Sequence, residues 1–582
     1  MNLLSKKITA VLTSTYISAV FTPTVASISS LSVTSVANAA RPTTMSTNGM
    51  VTTPHYHASQ AALEVLKSGG NAVDAAIAAA STLAVVYPHM NSIGGDNFWL
   101  VYNAKTNELR ALNASGRAGE KVTIAFYQKQ GYEKIPSRGY LAANTVPGVV
   151  SGWQEAYNYA QKTMDNSLPW NQLFTAAISY AESGVPVTPS QEIWTKRNID
   201  EKDQEFRALQ RFPAFRQTYL KANGEVYQAG EIFRQPQLAQ TLKLIASQGA
   251  DVFYRGEIAQ RIVTDLQKNG GLLTLQDFAQ HTSDWVKPIS TNYRGYQAYN
   301  FPPPTQGIAS LSILNILNNF DLRKIGEGTA DYYHLIVEAT KQAFADRDKY
   351  VTDPAFVKIP VDSLLSVNHG RQLAARINMN QTLKEAKPLD PKGDTVWLGV
   401  VDKDGNAVSL IQSIYHDFGS GIVAGNTGVL LQNRGSFFSL DKNHINRLEP
   451  RKRTFHTLNP AMLFRNGKPY LIYGTMGGEG QPQTQAALVT RIVDYGFSVQ
   501  EAIDAPRWLH GRTWGASSND LKIEGRVPEN VTAELAKRGH PVNVVDDYTD
   551  TMGHAGAILV DPTTNVLHGG ADSRGDGSAV GY

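Results

Sequence analysis

The sequence contains no cysteine in 582 residues, which excludes disulfides, thiolate nucleophiles and thiolate metal sites together. Catalysis, if any, must use oxygen or nitrogen groups. Net charge is also scarce: 54 Lys and Arg stand against 51 Asp and Glu, a formal +3, with no basic helix or long Lys/Arg block. Nucleic acid is therefore not an expected partner. HExxH and GxSxG are absent, and the glycine-rich FGSGIVAGNTG lacks the lysine and spacing of a phosphate loop. No cofactor and no metal are expected. His55-Tyr56-His57 has metal-like spacing without an evident third ligand, and is read as a capping or surface pair.

What is present reads as a soluble globular chain, 42% hydrophobic and 18% charged. Its length predicts two domains or one large intertwined unit. Residues 1–39 read as an export signal: Lys6 and Lys7, an apolar stretch from Ile8 to Phe21, and Ala37-Asn38-Ala39 as an A-x-A cleavage site. Pro23 and many hydroxyl residues leave no run of about 20 apolar residues for a retained anchor. A periplasmic or secreted protein, free of the membrane after signal removal, is expected.

Residues 49–88 carry helical periodicity broken at Gly69-Gly70, which predicts two packed helices with Asn71 opening the second. FWLVYNAKTNELRALNAS predicts a hairpin turning at Ala104 to Asn107. The region from about 150 to 390 reads as helix-rich, including the charged amphipathic IWTKRNIDEKDQEFRALQRF and the turn-forming FPPPTQG. From 395 the texture becomes strands, a helix (PQTQAALVTRIVDYG), then strands again. That order suggests layered α/β packing with two covered sheets.

The stretch GDTVWLGVVDKDGNAVSLIQS, residues 393–413, is a hairpin turning near Asp404-Gly405. If Asp402 faces Asn406, Thr395 lies across from Ser413; a two-residue loop would oppose it to Ile414 and leave Ser413 diagonal. Either register keeps the two hydroxyls within reach. Taken locally, a threonine here is an ordinary strand former.

Longer matches change that weight. VVDKDGNAVS, FGSGIVAGNTGVLLQN, GTMGG at 474–478 and ADSRGDGSAVGY resemble the gamma-glutamyltransferase (glutathione hydrolase) family of amino-terminal-nucleophile hydrolases. So do SGGNAVDAA, VPGVVSGW, FYRGEIA, FPPPTQGI and AFADRDKY. The resemblance implies an α/β (α+β) fold, a four-layer αββα sandwich, and self-cleavage between Asp394 and Thr395. A large fragment, residues 40–394, and a small one, 395–582, would form one intertwined unit. Thr395 would be the nucleophile, with its freed α-amine, of pKa about 7.7 to 8.0, as the base. Ser413 matches the second hydroxyl residue, and Gly477 and Gly478 match the glycine pair whose N–H groups hold the oxyanion. The implied reaction is cleavage of γ-glutamyl amides through a threonyl acyl-enzyme, by hydrolysis or transfer to an amine acceptor.

The substrate-gripping residues depart from the family pattern. Arg434 stands where a glutamine is usual and Phe437 where an aspartate pairs with the substrate ammonium. His456-Thr457 replace paired serines, Tyr415 an asparagine, and Ser115 the carboxylate-clamping arginine. Arg117, two residues on, is open to two readings, a substitute clamp or a structural ion pair. Arg434 with Arg451-Lys452-Arg453 would favour an acyl group that ends in carboxylate and carries no amine, the substrate of cephalosporin acylases, unless the triplet is a solvated loop. The short segment between Phe438 and His456 suggests a reduced lid. Arg574-Gly575-Asp576 spells an adhesion tripeptide, which leaves an unprocessed binding protein as the remaining rival.

Overall fold

Gly69-Gly70 ends one helix, Tyr56–Lys67, and Asn71 opens the next, Ala72–Val86, as the sequence predicts. Asn71 accepts from the N–H groups of Val73 and Asp74, satisfying donors that a helix start leaves without intrahelical partners. The second helix is rich in alanine and buried along its whole length, so it packs closely on what lies beneath it. These features come from a computed structural model, which describes residues 41–203, 205, 207–383, 394–511 and 518–582. The export signal and its cleavage site lie outside the described residues.

Beneath that helix lies a seven-stranded antiparallel sheet in the order Ser578–Gly581, Met50–Thr53, Asp394–Val401, Ala407–Tyr415, Asp96–Asn103, Glu108–Ala114, Asp284–Val286. A second seven-stranded sheet runs Thr44–Ser46, Leu567–Ala571, Ala555–Val560, Lys468–Thr475, Ala461–Arg465, Tyr296–Asn300, Ile289–Tyr293. Strand alternation sorts the core into three apolar layers. Val396, Leu398 and Val400 face the helices with Val408 and Leu410. Trp397, Val401 and Ile411 face inward against Met462, Ile472 and Ile558 of the other sheet. On the far side, Leu463, Leu471 and Tyr473 pack beneath helices Gly307–Leu317, Ala330–Tyr350 and Gly480–Val493. Helix, sheet, sheet, helix is the expected αββα sandwich.

Two expectations for the middle region change. The amphipathic stretch at 193–212 is helical only to Asn198, within Pro189–Asn198; beyond it the described residues form turns and a short 3-10 segment, Leu209–Arg211. Three strands lie between Asp284 and Asn300 in a region read as helix-rich. Their Tyr, Asn and Gln residues carry little apolar alternation, and tertiary pairing decides the outcome.

Candidate active site

The hairpin takes the register in which Asp402 faces Asn406: Val396 pairs with Gln412 and Val401 with Ala407. A bulge at Thr395 then shifts Asp394 opposite Tyr415. Bulges re-aim side chains at strand ends, and Thr395 Oγ1 donates to Ser413 Oγ at 3.3 Å, both residues buried. The Tyr415 N–H donates to the same Ser413 oxygen at 2.8 Å.

Contacts between the sheets locate the glycine pair. A Cβ on Gly399 would meet Ile472, and one on Gly474 would meet Trp397. These facing pairs lay the Asp394–Val401 strand across Lys468–Thr475, the strand that runs into the Gly477-Gly478 loop. Gly477 and Gly478 have φ of 117° and 52°, backbone that favours residues lacking Cβ, and they lead directly into helix Gly480–Val493. The loop is pinned from outside. Gln306 Nε2 donates to the Gly478 carbonyl at 2.8 Å and the Thr457 carbonyl at 2.7 Å. Arg347 donates to Gln306 Oε1 at 3.0 Å and pairs with Glu479 at 3.1 Å.

Arg434 is buried, its Cζ 4.1 Å above the Tyr415 ring, with Nη1 donating to Thr457 Oγ1 at 3.4 Å. Burial lowers this guanidinium to about 10, and it stays charged at neutral pH. His456 is buried, edge-on to Phe98, with Nε2 3.6 Å from Asp96 Oδ2. Burial, with Arg434 and Arg453 nearby, holds its pKa well below the ordinary imidazole value, so the ring is neutral. Phe437 stacks on Phe455 at 5.0 Å and meets Tyr415 edge-on at 5.8 Å. The short segment after Phe438 is folded, tied by Asn446 to Phe437 and Thr454. With Phe437, Phe455, Arg347 and Glu479 it lines a small cleft.

The structure thus brings Thr395, Ser413, Tyr415, Arg434, His456, Thr457 and the Gly477-Gly478 loop into one neighbourhood. Arg117 stands outside it. Its Nη2 pairs with Asp284 at 2.9 Å, and it makes no hydrogen bond or ion pair with Tyr415, Arg434, His456 or Thr457 among the described residues. Of its two sequence readings the structure uses the ion pair. The basic triplet divides. Arg451 pairs with Glu120 at the surface. Lys452 is buried and donates to the carbonyls of Ile445 and Arg447, which overturns the solvated-loop reading for it. Arg453 shares Asp284 with Arg117. His55 caps its helix by accepting from the His57 N–H, and is buried rather than on the surface. In the adhesion-like tripeptide, Arg574 is fully buried against Glu524 and Asp572.

Four residues carry the site without having been singled out: Asp96, Gln306, Arg347 and Glu479. Gln306 and Arg347 fall inside FPPPTQGI and AFADRDKY, matched as segments but given no role. Asp96 pairs with Ser413 across the sheet, and its Oδ1 accepts from Gly116 N, Gly148 N and Gln432 Nε2. In the sequence it is only one acid after a glycine pair.

The gamma-glutamyltranspeptidase family model matches residues 58–582. The chain is 48% identical to the glutathione hydrolase-like YwrD proenzyme of Bacillus subtilis, over 92% of this chain and 98% of that protein. It is 46% identical to the oxamate amidohydrolase proenzyme of Klebsiella pneumoniae, over 92% and 99%. A cephalosporin acylase from Bacillus halodurans superposes with a TM-score of 0.84 at 40% identity, covering 93% of this chain and 97% of that one. The chain therefore belongs to the gamma-glutamyltranspeptidase family, as an enzyme of the gamma-glutamyltransferase and hydrolase type and a self-processing amidase or acyltransferase of the amino-terminal-nucleophile class.

Proposed function

We propose that this enzyme, cut between Asp394 and Thr395, hydrolyses amides whose acyl group ends in a carboxylate and carries no amine. The observation that carries the reading is the buried Arg434 guanidinium above Tyr415, with the aromatic Phe437 where an acid would pair with a substrate ammonium. A buried cation with spare donors suits a carboxylate, whereas an ammonium brought beside it would add a second positive charge in a buried place. The Klebsiella relative is named for oxamate, an amide of this kind, and the Bacillus halodurans neighbour is named a cephalosporin acylase.

Maturation and turnover use the same hydroxyl. In the precursor, Thr395 Oγ attacks the Asp394 carbonyl, an ester forms as the peptide C–N bond breaks, and water releases the new terminus. In turnover the Thr395 α-amine takes the Oγ proton as the hydroxyl attacks the substrate amide. The Gly477 and Gly478 N–H groups stabilise the oxyanion. The C–N bond breaks, the leaving amine takes the proton, and water then resolves the ester by the reverse path. Ser413 orients the nucleophile. The export signal read at residues 1–39 supports a periplasmic or extracellular location for this chemistry.

Two measurements test the proposal. A denaturing gel of the purified protein is expected to show fragments of about two-thirds and one-third of the mature length, and Thr395→Ala to give one band and no activity. Glutaryl anilide is expected to be cleaved faster than γ-glutamyl anilide; cleavage of the γ-glutamyl compound only would return the enzyme to glutathione-type substrates.

A further inference from the structure

Three buried polar side chains at the proposed carboxylate site around Arg434 have capacity unspent. Asp96 Oδ2, Arg434 Nη2 and both ring nitrogens of His456 have no hydrogen-bond partner among the described residues. Buried polar groups are ordinarily satisfied, so such a convergence points to a bound polar group. The other Asp96 oxygen is saturated by Gly116 N at 2.8 Å, Gln432 Nε2 at 3.0 Å and Gly148 N at 3.2 Å, which fixes the carboxyl with Oδ2 toward His456. The charged and titratable groups around it are Arg434, the neutral His456, and Tyr254 from the helix Asp251–Tyr254; Arg453 acts on His456 from behind.

Charge balance then sets a condition on binding. With Asp96 ionised, Arg434 is neutralised and the closed site carries no net charge. A substrate carboxylate brought to Arg434 adds a second negative charge in a place that excludes water, where like charges cannot both stay ionised cheaply. We infer that Asp96 takes up one proton when an anionic acyl group binds at Arg434, so that the acyl pocket receives the carboxylate and a proton together. The step makes and breaks no other bond: a solvent proton moves to Asp96 Oδ2, and the carboxyl group so formed can donate toward His456. Burial already pushes the Asp96 carboxyl up to about 6, so the proton is within reach near neutral pH. This inference rests on the proposed preference for amine-free acids and makes Asp96 a positioning residue for that specificity.

The experiment compares glutaryl anilide with its uncharged methyl ester between pH 5.5 and 8.5 in wild type and Asp96→Asn. Titration of the Thr395 amine acts on both substrates and cancels in the ratio of their kcat/KM values. In wild type that ratio, anion over ester, is expected to be flat below about pH 6 and to fall about tenfold per unit above it. In Asp96→Asn the ratio is expected to be flat and, at pH 8, at least tenfold higher than in wild type. A flat wild-type ratio overturns the inference while leaving the substrate reading intact, and decides the matter even if the variant fails to fold. No turnover of glutaryl anilide at any pH, with turnover of the γ-glutamyl compound, overturns both.

Discussion

At the scale of single residues the site is a chain of short contacts around one hydroxyl. Ser413 accepts from the Tyr415 N–H and receives the Thr395 hydroxyl, so it sets where the proposed nucleophile points. A neutral hydrogen bond is worth about 0.5–1.5 kcal/mol net, which converts to roughly two- to thirteenfold in rate. Ser413→Ala is therefore expected to lower kcat for glutaryl anilide by about that factor with little change in KM, and Ser413→Thr to restore it. Equal kcat in both variants and wild type would remove Ser413 from the catalytic account. The proximity of Thr395 and Ser413 was legible from the hairpin pattern, and the roles proposed for them and for the glycine pair rest on the long matched segments in which they sit. Asp96 and Gln306 were not legible, because their roles arise from partners 336 and 172 residues away, Gln432 and Gly478 among them. An acid or an amide has no local pattern that announces such a partner. Arg117 shows the converse: two readings fitted its sequence position, and the Asp284 carboxylate, 167 residues distant, selects one.

At the scale of elements the decisive feature is how the Asp394–Val401 strand lies on Lys468–Thr475. Trp397 spans the gap between the sheets, donating Nε1 to Ser409 Oγ at 2.9 Å and lying against Gly399, Gly474 and Gly556, none of which has a side chain to obstruct it. A Cβ at Gly474 would lie 2.2 Å from Trp397 Cδ1. Gly474→Val is thus expected to overpack the inter-sheet layer at a cost of about 1–3 kcal/mol, lowering the midpoint of thermal unfolding. Activity should fall with it, since Thr395 rides on the displaced strand. An unchanged midpoint would show that the layer has room to adjust. The hairpin register was legible from Asp404-Gly405 and the alternating Val/Leu pattern. The bulge at Thr395 was not, because it depends on how the strand end meets Tyr415, whose φ of 82° departs from ordinary strand geometry.

At the scale of the whole molecule, both sheets are built from strands of both expected fragments. Met50–Thr53 of the large fragment lies between two strands of the small one, Ser578–Gly581 and the Asp394–Val401 strand, which belongs to the small fragment from Thr395 on. In the other sheet Thr44–Ser46 and Tyr296–Asn300 flank four strands of the small fragment. After a cut at 394–395 each sheet still draws hydrogen bonds from both pieces, so the two are expected to comigrate in gel filtration and part only in denaturant. Residues 40–394 and 395–582 produced separately and mixed are expected to give neither a soluble complex nor amidase activity, because each alone presents open sheet edges prone to aggregate. Recovery of activity on mixing would show that the sheets can form by docking. The same weave dictates an order of events in the life of the protein: the thread must be sewn before it is snipped. Making both halves on one ribosome is then a condition of assembly, and the severed bond is a mark that assembly has already succeeded.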